Sequence, residues 1–301
     1  MKAIAPGKLL LTGAYAVLEG APAIVVAIDR HAVADASRTT ASPSPEVLAA
    51  FGREPAPQVD VTALHDGAGR KLGLGSSAAA VVASLGARAL AAGEDPVDPL
   101  VRGRIFRAAR AAHARAQAGG SGVDVAASVH GGALRYAVDG GDAGIRAIEL
   151  PASLVVAAYW SGTSARTSDL RARVDALRAR HPDAPVLADL RSLAGRAAEA
   201  FESAGARAFV EAARDYGRAL DALGHAADAP IVPPAFRELS LAAEAEASAF
   251  LPSGAGGGDV AVWLGTAPPS AAFAALAETR SMRPLALAID RGGVRPQSLA
   301  M

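Results

Sequence analysis

The sequence predicts a two-lobed α+β protein, because strand-like segments come first and helix-like segments follow in each half of the chain. Short apolar runs bounded by glycine or proline, at 9–11 and 23–28, are typical of strands. Long alanine-rich stretches come next, and alanine has the highest helix propensity of the amino acids. The same order begins again near Pro151. A regular βαβ winding would instead alternate single strands with single helices.

The elements can be placed one by one from these patterns. Residues 42–58 hold four prolines and are predicted to form a surface loop or an edge excursion. In the first half we predict strands at 9–11, 23–28 and 59–64, and helices at 77–92, 101–117 and 123–129. In the second half we predict strands at 154–160, 260–264 and 285–289, and helices at 167–180, 186–203, 207–223, 235–250 and 271–279.

The composition excludes several classes of protein. The chain has 301 residues, a formal net charge of +0 and no cysteine. Disulfides and thiolate metal sites are therefore excluded, and the positive charge typical of nucleic-acid-binding proteins is absent. No apolar run approaches the roughly 20 residues of a membrane span, and the first residues lack the pattern of a signal peptide. We expect a cytoplasmic protein without a nucleic-acid or membrane partner.

Three glycine-containing motifs, far apart in the chain, carry most of the functional information. They lie at 6–8, 71–79 and 253–259. In the second motif, two glycines precede Ser76 and Ser77, which open an apolar, alanine-rich helix. A helix N-terminus offers unpaired N–H groups and the positive end of its dipole. The second motif therefore predicts a phosphate-binding loop.

The placement of lysine supports a phosphate site. The chain contains three lysines, Lys2, Lys8 and Lys71, and uses arginine for its other basic positions. Two of the three lie in glycine motifs, and lysine is a compact, flexible charge that suits phosphate oxygens. The alternative is a compositional bias that leaves a few lysines by chance.

Asp124 is the candidate catalytic group, although its position also fits a structural role. It follows a Gly-Ser-Gly turn at the start of a predicted helix, where an acidic residue stabilises the N-terminus. Ser76 has the same ambiguity, since a serine at this point can cap the helix or offer a hard oxygen to Mg²⁺.

The three motifs, in this order and at this spacing, resemble those of the GHMP kinases, the superfamily of galactokinase, homoserine kinase and mevalonate kinase. The resemblance extends from Pro6 to Asp259. It implies an ATP-binding N-terminal lobe, 1–150, similar to ribosomal protein S5 domain 2. It also implies a ferredoxin-like C-terminal lobe, 151–301, that closes the substrate cleft. The implied activity is transfer of the γ-phosphoryl group of ATP to a small metabolite, with ATP and Mg²⁺ required.

Some features resemble the phosphomevalonate kinase branch in particular. They are Lys71 two residues before Gly73, the segment 113–126, and the segment 159–167. The implied acceptor is 5-phosphomevalonate, a precursor in isoprenoid biosynthesis. Mevalonate or another small alcohol is an alternative acceptor. A non-catalytic nucleotide-binding protein is an alternative of another class, which Ala14 supports because many relatives have glutamate there.

The resemblance also assigns roles to individual residues. Asp124 would accept or orient the proton of the attacking oxygen, and Lys8 would neutralise charge on the acceptor and on the transferred group. Ser76 would be the ligand of Mg²⁺. The nucleotide-binding residues would be Lys71, Gly73, Leu74, Gly75, Ser76, Ser77 and Ala78. The acceptor-binding residues would be Lys8, Tyr15, Ser121, Gly122, Arg166, Thr167, Gly256 and Gly257. The expected partner is the small-molecule acceptor, and the chain is expected to be a monomer or a homodimer.

Overall fold

The computed structural model describes residues 1–163 and 167–298. These residues form both helices and sheets, so the predicted α+β class is confirmed. The chain divides into two compact units. The first comprises Met1–Leu9, Val25–Leu134 and Ala288–Met301, and the second comprises Leu10–Ile24 and Arg135–Leu287. The division at residue 150 into an ATP-binding lobe and a second lobe remains a prediction.

Strands and helices alternate irregularly along the chain. The elements up to residue 130 are β1 (Lys2–Thr12), β2 (Ala23–Thr39), α1 (Pro45–Phe51), β3 (Pro57–Asp60), α2 (Ser76–Ala91), α3 (Pro99–Ala116) and α4 (Val123–His130). The later elements are β4 (Ala133–Asp139), β5 (Asp142–Ile148), β6 (Val155–Trp160), α5 (Thr167–Arg180), α6 (Pro185–Glu199), α7 (Gly205–Ala226), α8 (Pro234–Ala245), β7 (Ala249–Pro252), β8 (Val260–Gly265), α9 (Ala271–Thr279), β9 (Arg283–Leu285) and β10 (Arg295–Pro296). One sheet has the order β10-β1-β2-β4-β5, with β3 paired to β2, and the other has the order β7-β8-β6-β9.

In the first unit, α1 and α3 begin where the sequence supplies a side-chain cap. The Ser44 hydroxyl accepts a hydrogen bond from the N–H of Val47, and a proline occupies the first turn of α1. Asp98 does the same for α3 by accepting from the N–H groups of Leu100 and Val101. Most residues of α2 are buried, and this helix contacts α1, α3 and α4. The helix that follows the second glycine motif is therefore firmly packed.

In the second unit, aromatic side chains form the centre of the core around the antiparallel sheet of β6 to β9. The ring of Phe273 lies 5.7 Å from Tyr159, 5.5 Å from Phe250 and 4.5 Å from Trp263, measured between centroids. Edge and tilted contacts at these distances are the favoured geometries of aromatic pairs. Helices α6 and α7 pack against each other in the same unit.

Three predictions from the sequence are wrong in instructive ways. Segment 42–58 is not a loop throughout, because it contains α1 and the start of β3. Pro45 and Pro57 are the first residues of these two elements, where proline is tolerated. The predicted helix 235–250 ends at Ala245, and Phe250 lies in β7; Ala247, with φ of 52°, separates the two elements. The predicted strand 285–289 is also misplaced, since β9 ends at Leu285.

The sequence analysis missed the hairpin of β4 and β5, which turns at Gly140 and Gly141. Both glycines have positive φ, at 55° and 95°, which a tight hairpin turn requires. Strands β1 and β2 are longer than predicted, since β1 begins at Lys2 and β2 continues to Thr39. The predicted strand 59–64 is shorter, since β3 ends at Asp60. Within residues 1–163 and 167–298, the longer helices are all too polar or too short for a bilayer crossing.

Candidate functional site

Lys8, on β1, is fixed in the first unit through both its backbone and its side chain. Its N–H donates to the carbonyl of Leu74 at 2.9 Å, which joins the strand to the second glycine motif. Its side chain is only 6% exposed, and its Nζ lies 3.8 Å from Oδ1 of Asp124. Two glycine motifs and the candidate catalytic carboxylate therefore meet around one buried ammonium group.

Gly75 allows the second motif to approach Lys8 and begins α2. Its φ of 80° lies in the left-handed region, and a Cβ at this position would lie 3.0 Å from Cγ of Lys8. Gly75 is the N-cap of α2, and no side chain caps the helix. The N–H groups of the first turn have no partner within a helix. An anion can accept hydrogen bonds from these N–H groups, as the sequence predicts for Ser76 to Ala78.

Lys71 is the first residue of the second glycine motif, and its side chain contacts a later residue of the same motif. The side chain is exposed, and its Nζ donates to Oγ of Ser77 at 3.3 Å. An isolated antiparallel bridge with His65 holds the backbone of Lys71. The two lysines that the sequence singled out therefore both contact the segment of Gly73, Leu74, Gly75, Ser76, Ser77 and Ala78.

Asp124 lies in the first turn of α4, two residues after the left-handed Gly122 with φ of 85°. No side-chain cap hydrogen bond is made at this N-cap. Instead, the Ser121 hydroxyl accepts from the N–H of Val123 at 3.3 Å. The carboxylate of Asp124 pairs with Lys8, and its side chain is 32% exposed, so it can still contact a ligand.

The second unit contains the other described candidates for acceptor binding. Tyr15 is buried, and its hydroxyl donates to the carbonyl of Ala255, in the third glycine motif, at 2.6 Å. Burial first, and the charge of Asp175 second, raise the pKa of Tyr15 far above its ordinary value. The hydroxyl is therefore a hydrogen-bond donor at any physiological pH. The backbone φ of Tyr15, 61°, is unusual for a bulky residue.

Gly256, in the third glycine motif, is packed too closely for a side chain. A Cβ on Gly256 would lie 2.0 Å from the carbonyl oxygen of Ile231, and the N–H of Gly257 donates to that same oxygen at 2.9 Å. Thr167 begins α5 and is exposed. Arg166 lies outside the described residues.

Two buried polar clusters of the first unit were missed by the sequence analysis. Asp290 accepts from both terminal nitrogens of Arg295, at 2.9 and 2.7 Å, and lies 2.6 Å from Nε2 of His31. Burial opposes ionisation of Asp290, but these partners and the N–H of Gly293 outweigh it and hold its pKa far below the usual range. The other cluster is centred on Glu46, which is 4% exposed. Each cluster brings together residues that are distant in the sequence, so no local sequence pattern predicts it.

The residues around the second motif fit Mg²⁺ in chemical type. Ser76 opens α2 with a side chain that is largely buried, and its hydroxyl is a hard oxygen. In the described part of the chain, no group of three or more His, Cys, Asp or Glu side chains is arranged to hold a metal. Mg²⁺ commonly binds through one or two protein oxygens, completed by substrate phosphates and water. The residues around the second motif are therefore consistent with a Mg²⁺ ion that binds together with a nucleotide.

Comparison with known proteins shows which families and folds the chain is similar to. Residues 46–132 match the family model of the GHMP kinases N terminal domain. Phosphomevalonate kinase from Streptomyces sp. (strain CL190) is 29% identical over 86% of this chain and 88% of its own. The structure of a Lin0012 protein from Listeria innocua has a TM-score of 0.84 at 22% identity, covering 99% of each chain. Streptococcus pneumoniae phosphomevalonate kinase in complex with phosphomevalonate and AMPPNP has a TM-score of 0.77 at 20% identity, covering 96% of this chain and 99% of its own.

The matched segment contains the second glycine motif and Asp124, while Lys8 precedes it. The resemblance expected from the three glycine motifs is confirmed. The chain therefore carries a GHMP kinase N-terminal domain at residues 46–132, within the α+β fold of solved phosphomevalonate kinase structures.

Proposed function

We propose that this protein is an ATP-dependent kinase that transfers the γ-phosphoryl group of ATP to 5-phosphomevalonate, giving ADP and 5-diphosphomevalonate. One observation carries the proposal. The backbone N–H of Lys8 donates to the carbonyl of Leu74 in the phosphate-loop candidate, and the buried ammonium of Lys8 lies 3.8 Å from the carboxylate of Asp124. A cation, an anion-binding loop and a carboxylate are the three groups that phosphoryl transfer needs from a protein.

On the nucleotide side, the loop would bind the triphosphate. The first-turn N–H groups of α2 are directed donors, and Lys71 at its edge supplies a mobile positive charge. Mg²⁺ bound with ATP would neutralise phosphate charge, and Ser76 would hold it. Lys8 would then neutralise the charge that develops as the γ-phosphoryl group moves.

On the acceptor side, the choice of 5-phosphomevalonate rests on two findings. The curated relative that is 29% identical is a phosphomevalonate kinase, and a structure with the same fold is a complex with phosphomevalonate and AMPPNP. A phosphate acceptor is already largely ionised near neutral pH, since its second pKa is about 6. Asp124 would then mainly orient the acceptor, and Lys8 would offset the repulsion between two anions.

The test is ADP release from Mg-ATP with 5-phosphomevalonate and with mevalonate, each offered to the same purified protein. Turnover with 5-phosphomevalonate alone supports the proposal. Turnover with mevalonate alone would assign a different acceptor to the same chemistry. Binding of ATP with no turnover on either compound, or on homoserine and galactose as further acceptors, would contradict the kinase assignment and favour a nucleotide-binding protein.

A further inference from the structure

We propose that Asp66 is a positioning residue that closes the short loop 66–70 and thereby holds Lys71 at the phosphate-loop candidate. The consequence for ATP binding rests on the proposed function, but the closing of the loop concerns the protein alone. Asp66 precedes the second glycine motif, and neither the motif nor the family resemblance assigns it a role.

Lys71 lies in a small hairpin that is anchored at its base. The side chains of Leu64 and Leu72 are buried, and the N–H of Leu72 donates to the carbonyl of Leu64 at 3.2 Å. The next pair along the hairpin, His65 and Lys71, forms the isolated antiparallel bridge. A two-stranded hairpin is only marginally stable by itself. The backbone of Lys71 therefore also depends on the loop that closes the hairpin.

Asp66 closes this loop through both of its carboxylate oxygens. Oδ1 accepts from the N–H groups of Ala68 and Arg70, at 3.0 and 2.7 Å. Oδ2 accepts from Nε and Nη2 of Arg70, at 2.8 and 2.7 Å. The backbone of Asp66 adds two bonds, since its N–H donates to the carbonyl of Arg70 and its carbonyl accepts from the N–H of Gly69, each at 2.9 Å. The far end of the loop is thus tied to Asp66 immediately before Lys71.

Lys71 connects this loop to the phosphate-loop candidate. Its ammonium donates to the hydroxyl of Ser77 at 3.3 Å, and Ser77 lies in the first turn of α2. A lysine side chain is long and flexible, so its ammonium stays near one place only if the backbone that carries it is fixed. With the loop open, binding of a phosphate would have to order Lys71 first, and that ordering costs affinity.

The charge of Asp66 separates this inference from simple electrostatics. A carboxylate near a phosphate site repels the phosphate, so removing its charge alone should tighten the binding of Mg-ATP. Asp66→Asn removes the charge but keeps Oδ1 as an acceptor for the two N–H groups. Asp66→Ala removes both the charge and the acceptor. The difference between the two variants therefore isolates the closing of the loop.

The competing explanation is that Asp66 only stabilises an exposed turn, with no effect on Lys71. The structure offers a matched control, because Oδ1 of Asp60 accepts from the N–H and the hydroxyl of Thr62, at 2.9 and 2.7 Å. Asp60→Ala removes a carboxylate and two hydrogen bonds from the same stretch of chain. None of these bonds involves the loop 66–70.

The experiment compares Asp66→Ala, Asp66→Asn, Asp60→Ala, Lys71→Met and the double variant Asp66→Ala with Lys71→Met. Calorimetry gives the Kd of Mg-ATP and of adenosine, and hydrogen–deuterium exchange of the nucleotide-free proteins follows the amides of 66–72. We expect a Kd for Mg-ATP about fivefold higher in Asp66→Ala than in Asp66→Asn, with adenosine binding alike in both. Exchange over 66–72 should be faster in Asp66→Ala than in Asp66→Asn or Asp60→Ala. Because Asp66 acts through Lys71, the double variant should bind Mg-ATP no more weakly than Lys71→Met alone.

Three results would overturn the inference. One is an Asp66→Ala protein that binds Mg-ATP as tightly as Asp66→Asn, or exchanges no faster over 66–72. The second is an equal loss of adenosine affinity, which would mean that the whole nucleotide site has changed. The third is additive losses in the double variant, which would mean that Asp66 and Lys71 act independently. If the wild type binds no Mg-ATP, the proposed function fails, while the exchange data still decide whether Asp66 closes the loop.

Discussion

Nζ of Lys8 lies 3.8 Å from Oδ1 of Asp124, and the two side chains differ sharply in exposure, at 6% and 32%. An ammonium this deeply buried would be costly without an opposite charge nearby. The carboxylate provides that charge and remains partly open to a ligand. This difference in exposure is what we expect of a pair in which Lys8 is held in place and Asp124 contacts the acceptor. It leads to the first two predictions.

Asp124→Asn should reduce turnover by about 10²–10⁴-fold, because the amide keeps the shape of the side chain but cannot take up a proton or carry its charge. Far-UV circular dichroism should be unchanged. The measurement is ADP release at saturating Mg-ATP. Asp183→Asn, at an exposed site between α5 and α6, is the matched control and should behave like the wild type. Wild-type turnover in Asp124→Asn would remove this residue from the reaction.

Lys8→Met should also reduce turnover strongly, by about 10²-fold or more, since under the proposed function it removes the charge that stabilises the moving phosphoryl group. Methionine keeps the apolar stem that lies against Gly75, so the protein should still fold. If the two side chains work as a unit, the loss in the double variant with Asp124→Asn will be less than the product of the single losses. Fully multiplicative losses would mean that the two side chains act separately.

Gly75→Ala should destabilise the protein by roughly 1–2 kcal/mol, because a non-glycine residue is disfavoured at left-handed φ. The new methyl would also press on the stem of Lys8, at 3.0 Å from Cγ, so turnover should fall as well. Gly67→Ala is the control, since no atom lies within 4 Å of a Cβ added there and its φ is not positive. Equal stability of the two variants in urea unfolding would contradict the strain argument.

His130 should make the protein sensitive to mild acid. Burial first, and the charge of Arg102 second, lower the pKa of His130 from 6.5 to about 4. Between these values the unfolded chain binds a proton that the folded protein does not, so stability falls as pH drops from 6.5 toward 4. The loss at pH 4 is at most roughly 3 kcal/mol.

The check is urea unfolding at pH 7 and pH 4.5 for the wild type and for His130→Asn, which has no titrating ring. The pH dependence should be smaller in the variant. The same slope in both proteins would show that other groups cause the acid sensitivity.

Much of the candidate site could be predicted from the sequence because its signals are local. Lys8, Lys71 and the loop at Gly75 stand in glycine motifs, and Asp124 follows a Gly-Ser-Gly turn. Glu46 could not be found in this way. Its partner Gln117 is 71 positions away, and the prolines around α1 suggested a loop. The predicted helix that continued to Phe250 failed for a similar reason, since pairing with β8 decides that segment.

The most direct test of the central claim is ³¹P NMR of a reaction containing the protein, Mg-ATP and 5-phosphomevalonate. The account predicts that signals of ADP and of a new diphosphate monoester grow together, at equal rates, and that both are lost in Asp124→Asn. Release of inorganic phosphate without a new diphosphate, or no change in the spectrum with a protein that binds Mg-ATP, would contradict it.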